Sequence, residues 1–157
     1  MNWDALGAIA ELIGAIAVVA TLIYLAAQIR QNTLSNRNAA LQTVSSQYAD
    51  WLSTIIENES VARIYRAGLA DFNQLTEEDR IRFGMLLTHL CRACDAQYHQ
   101  HTTNALPREM WESTLESLVG VLEKPGGSTW WSKYGARFSP SFYSAVSGAL
   151  ETSARDD

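Results

Sequence analysis

Six side chains that could bind a metal or move a proton crowd into a short stretch: His89, Cys91, Cys94, Asp95, His99 and His101. Cys91 and Asp95 are four apart, as are Asp95 and His99, so a helix would place the three on one face. Thiolate, carboxylate and imidazole are all ligands for zinc or a similar ion. A zinc ribbon needs a second ligand pair on a separate turn. This chain has none, so the missing ligands would come from another helix or subunit. The plainer arrangement makes Cys91 and Cys94 small core residues and leaves the histidines in solvent. No metal site is expected, with Cys91, Asp95 and His99 as the only candidates. Cysteines three apart on a helix rarely pair well, and free thiols fit a reducing compartment.

Other chemistry is sparse. Pro125-Gly126-Gly127-Ser128 before a helix could present amides to an anion, but it lacks the lysine and spacing of a P-loop. Its ordinary reading is a helix stop followed by a cap. There is no nucleophile elbow, paired-carboxylate signature or dinucleotide fingerprint, so no catalytic residue and no cofactor are expected. The aromatic ending, Trp130, Trp131, Tyr134, Phe138, Phe142 and Tyr143, reads mostly as core, with rings left over for a membrane surface or an apolar pocket.

The elements that would hold these residues are helical throughout. Leu41, Val44, Tyr48, Leu52 and Ile55 follow the three-and-four spacing of an amphipathic helix, which predicts one helix running to about Glu57. A short helix follows over Val61 to Leu69. Thr76 with Glu77, Glu78 and Asp79 is a helix start, and its helix runs to about Tyr98. Leu106-Pro107 opens another, which ends at Lys124-Pro125-Gly126-Gly127. An aromatic helix over Thr129 to Tyr134 and a last one opened by Ser139-Pro140 complete an all-α chain. No sustained period-two alternation argues for strands.

Charge divides the chain sharply. Residues 5–29 hold one charge, Glu11, whereas all 12 Lys and Arg lie at Arg30 or later. From Ala5 to Ala27 the sequence is apolar on every side and long enough, at about 1.5 Å per residue, to cross the roughly 30 Å of a hydrocarbon core. A single N-terminal transmembrane helix is therefore expected over 1–29. It continues as an exit helix over 30–57, a helical domain over 58–152 and a disordered tail over 153–157. No basic residue precedes the span, and Arg30 and Arg37 follow it, which predicts the N-terminus outside and the domain in the cytoplasm. Trp3 and Tyr24 suit the two interfaces. If the helix enters lipid near Ala5, Glu11 lies about 9 Å inside, where a carboxylate is costly unless paired or protonated. Gly7, Ala10, Gly14, Ala17 and Thr21 form a small-residue stripe that favours contact with a second helix. The remainder is mildly acidic and has no basic cluster, which argues against nucleic acid as a partner.

Three segments carry a resemblance. The opening NWDALGAIAELIGAIAVVATLIYLAAQIRQNT, the middle Val61-Ala62-Arg63-Ile64-Tyr65-Arg66-Ala67-Gly68-Leu69 and the ending PGGSTWW with FSPSF are similar to an uncharacterised bacterial family of small membrane-anchored helical proteins. The resemblance spans nearly the whole chain. It implies a bacterial origin, the inner (cytoplasmic) membrane and the architecture above, and no particular activity. Its members mostly carry aromatic or acidic residues where this chain has Cys91, Cys94 and His99, so it implies no metal role for them. The expected function is a membrane-anchored interaction or scaffold module whose partners are the lipid bilayer and a second copy of the chain, contacting through Gly7, Ala10, Glu11, Gly14, Ala17 and Thr21, with an unidentified protein as a further possible partner. The alternatives are a metal-dependent enzyme or sensor using the Cys/Asp/His cluster, or a sensor of an apolar ligand bound between the aromatic helices.

Overall fold

The computed structural model describes residues 3–156, and every regular element among them is helical. The first, α1, spans Trp3–Ile56. The side chains of Ala10, Leu41 and Val44 lie outside the described residues. By its contacts the chain divides after Ala39. In the first unit residues 3–39 are helical, and from Glu11 to Ser35 every side chain is exposed.

Residues 40–157 hold the core. The end of α1 is followed by α2 (Glu59–Ala70), α3 (Glu77–Thr102), α4 (Arg108–Leu122), α5 (Pro125–Tyr134), a 3-10 turn at Gly135–Arg137 and α6 (Pro140–Asp156). Side chains punctuate the breaks. Asn58 accepts from the Ser60 and Val61 amides at 3.1 and 3.3 Å, which starts α2. Thr76 accepts from the Asp79 amide at 3.2 Å, and three carboxylates fill the first turn of α3. Asn104 takes φ 59° after α3, the left-handed region that asparagine tolerates, and lets Ala105 and Leu106 return hydrogen bonds to the Gln100 carbonyl. Pro107 stands just outside α4, fixing the chain's entry without forfeiting a helical amide.

Two expectations need correction. Pro125-Gly126-Gly127 is the first turn of α5, with Pro125 at the first helical position, and α4 has already ended at Leu122. The glycines are there for proximity: a Cβ on Gly126 would collide with the Gly68 carbonyl oxygen of α2, and one on Gly127 with the Val121 carbonyl oxygen and Leu122 of α4. Gly68 in turn lies against the Phe83 ring of α3. Residues 153–156 are the last turn of α6 and not a disordered tail; Ser153 Oγ donates to Glu123 Oε2 at 3.3 Å.

The core is strongly aromatic. Trp130, Phe72, Phe83 and Phe142 are essentially sealed from solvent, and Trp131, Phe138 and Phe142 meet edge-on or stacked at 5.8–6.2 Å. The aromatic ending thus packs the bundle, as its composition suggested, with Tyr143 left at the surface.

Candidate functional site

The cluster on α3 does not assemble into a ligand set. Cys91 and Cys94 are buried and unbonded, whereas His89 and His99 are exposed. His101 is half-buried, stacked near the Trp111 ring at 6.2 Å. Asp95 is engaged elsewhere: its carboxylate accepts from the Ser139 hydroxyl at 2.5 Å and the Ser139 amide at 3.2 Å, immediately before α6. It is an anchor for that helix start. Among the described residues no three His, Cys, Asp or Glu side chains group as metal ligands.

Burial holds both thiols protonated. It pushes Cys94 up to about 12, and Cys91 is raised further, by burial first and then by Cys94 and Asp95. A neutral, enclosed thiol is a poor nucleophile. Iodoacetamide should therefore leave both cysteines unmodified in the native protein at pH 8 and alkylate both after denaturation, as counted by mass spectrometry. Rapid native labelling would contradict this burial. Because folding raises these acids above their ordinary 9.0, the folded state holds more protons above that pH. The resulting stability is complete below about pH 9 and declines as pH rises towards 12. Tyr65, raised to about 12 by burial and then by Tyr48, works in the same direction.

What α3 does build is a cavity. About 220 Å³ is enclosed by the end of α1, α3 and α4, with Trp51, Leu90, Cys94, Gln97, Thr114 and Leu118 on its walls. Trp51 fixes the α1 side by donating Nε1–H to the Leu86 carbonyl at 3.2 Å. Gln97 is only 4% exposed, and its Oε1 accepts from the Thr114 hydroxyl at 2.9 Å. The other half of that amide, Nε2, has no acceptor among the described residues and is not sealed from the cavity. No Lys or Arg lines the space. Tyr48, His89, Ser113 and Ser117 add polar groups to the lining, and this mixed surface of uncharged hydroxyl and amide groups with apolar walls suits a small molecule bearing an oxygen acceptor.

Sequence reasoning missed Gln97. Its signal was present: Leu87, Leu90, Cys94 and Gln97 recur at helical spacing, which puts a polar amide where the pattern calls for an apolar side chain. The cavity also lies away from the aromatic helices where an apolar ligand was expected.

In the N-terminal unit, Gly7 and Gly14 have open space where a Cβ would stand. Thr21 donates its hydroxyl to the Ala17 carbonyl one turn back at 2.8 Å, so it offers a small side chain and not a free donor. Within Glu11–Ser35 an 18-residue stretch reaches a mean hydropathy of 2.3, and none of it is buried. The chain is thus an all-α protein with one N-terminal helix long and apolar enough to cross a membrane. Comparison with protein-family models, curated proteins and solved structures finds no match.

Proposed function

We propose that this chain is a membrane-anchored, self-associating interaction module of the bacterial cytoplasmic membrane, with α1 as a single-pass anchor and the helical domain in the cytoplasm. One observation carries the reading. The apolar side chains of Leu12 to Ile29 are all exposed, with Leu12, Ile16, Leu22 and Ile23 each at 60% or more. A core helix of a soluble protein would bury such a surface. Lipid tails are the solvent that suits it. Glu11 and Arg30 bracket this stretch and stand about 28 Å apart by helical rise, close to the thickness of a hydrocarbon core. That register brings Glu11 to the outer interface, where its carboxylate stays hydrated. Arg30 and Arg37 then follow the span on the cytoplasmic side.

The same register ranks the small-residue stripe. Gly14, Ala17 and Thr21 fall inside the slab and Gly7 outside it, so close approach of two anchors depends chiefly on Gly14. Gly14→Leu should raise the monomer share of full-length protein in dodecyl maltoside, as read by light scattering or sedimentation. Gly7→Leu should have a smaller effect. Equal masses for the parent and both variants would remove the stripe as the seam. A monomeric parent would remove self-association altogether.

A further inference from the structure

We propose that the groove between α3 and α5 binds the anionic end of a small amphiphile, a carboxylate or phosphate group carried on a flat or aliphatic body. The groove holds about 520 Å³ and is lined by residues of α3, α5 and the 3-10 turn together with Phe72. Three guanidiniums stand around it, those of Arg80, Arg92 and Arg137, against one lining carboxylate, Glu77. That excess of positive charge is local: the chain as a whole carries a net charge of −5.

The arginines are presented on aromatic faces. The Arg92 guanidinium lies 4.9 Å from the Phe138 ring centre, Arg137 4.6 Å from Tyr134 and Arg80 5.7 Å from Phe72. Stacking steadies a guanidinium while leaving its N–H edge for an anion. Their existing partners differ. Arg80 is committed to the fold, donating to the Asn73 and Leu75 carbonyls at 3.2 and 2.9 Å. Arg92 has only a long approach to Asp95, 3.9 Å. Arg137 has no carboxylate within ion-pair reach among the described residues. The wall supplies an independent sign. Arg80 Nε is buried and has no acceptor among the described residues, although Nη2 of the same guanidinium is bonded. A buried donor without an acceptor is uncommon and points to a group from outside. Trp130 lines the floor. Thr88 adds lone pairs but no donor, since its hydroxyl hydrogen goes to the Gly84 carbonyl at 2.7 Å. Donors therefore dominate the polar lining, and an anionic oxygen group satisfies them; Phe72, Tyr134 and Phe138 meet its apolar body.

The anion could be a soluble ester or acid, or the phosphate of a lipid headgroup, and one experiment separates them. Full-length protein carrying ¹³C-methyl methionine and ¹⁵N-labelled indoles is titrated with phenyl phosphate in dodecyl maltoside. Met85 is the reporter, being 68% exposed on the groove wall, and Met85→Leu assigns its signal without disturbing the core. The expected result is a saturable shift of Met85 and one indole, with inorganic phosphate and benzyl alcohol each binding at least tenfold more weakly. Arg92→Gln and Arg137→Gln should each weaken binding about tenfold, the worth of one charge-assisted hydrogen bond, at unchanged melting temperature. If the same signals move in phosphatidylglycerol nanodiscs relative to phosphatidylcholine ones, and stop moving in the two variants, the anion is a lipid headgroup. Absence of a saturable shift with both phenyl phosphate and phosphatidylglycerol overturns the proposal. So does a shift that neither arginine substitution affects.

Discussion

Gly126→Ala should lower the melting temperature of the helical domain by roughly 10 °C, reflecting about 3 kcal/mol of lost stability. The added methyl has nowhere to go. At Gly126 its neighbours are backbone atoms, the Gly68 carbonyl group of α2 and the amide nitrogen of Phe72 just after it. A flexible side chain could swing aside, but here two helices must move apart, and the Phe83 ring against Gly68 blocks α2 from yielding. Overpacking of this kind sits at the upper end of its usual range because the obstruction is backbone. Gly120→Ala is the informative partner. It lies within α4 with open space at its Cβ position, so the same substitution there should stabilise by up to about 1 kcal/mol through helix propensity. Opposite signs at two glycines of one domain, read by circular dichroism melts of full-length protein in detergent, would establish close approach as the cause. A Gly126→Ala melt within a degree or two of the parent would show that α2 and α5 do not touch as described.

The pair Gly68 and Gly126 also explains which parts of the fold were legible in the sequence. Thr76 could be read as a helix start because everything it does is local: it accepts from Asp79, three residues on. The reason for Gly126 lies on α2, far away in the chain, so a local reading takes Pro-Gly-Gly for a stop when it is a helix start under close contact. The end of α6 was obscured in the same way, since Ser153 finds its partner, Glu123, on the stretch just after α4. On α3 the four-residue spacing of Cys91, Asp95 and His99 suggested a common face, but it could not assign burial along it. The thiols fall in the core, Asp95 at its edge beside Ser139, and His99 in solvent. Both cavities escaped notice because each is framed by helices distant in sequence. Their polar marks, the buried Gln97 amide and the unpartnered Arg80 Nε, are visible only in the structure.

Placing lysine at both Val18 and Leu22 should move the protein out of the membrane fraction. Both side chains are exposed, at 59% and 60%, one turn apart on the same face of α1. In water such a change would be harmless or helpful to solubility, because none of the described residues covers these positions. In lipid each lysine costs about 3 kcal/mol near the middle of a span, so the pair costs about 6 kcal/mol. Eighteen residues, Leu12 to Ile29, supply the apolar surface, and the flanking Glu11 and Arg30 leave little room to slide the helix and rescue two charges a turn apart. Snorkelling from the centre is limited by the length of the side chain. Carbonate-washed membranes should retain the parent and the apolar control Val18→Leu/Leu22→Val, whereas the double-lysine variant should appear in the soluble or degraded fraction. The domain bears on the outcome only through folding, since among the described residues its core begins at Trp51, well beyond both substitutions. A double-lysine variant that stays in washed membranes would mean that α1 does not hold the protein there, and the domain surface would then have to supply the attachment. A parent found wholly in the soluble fraction would mean that this apolar face is covered by another protein surface.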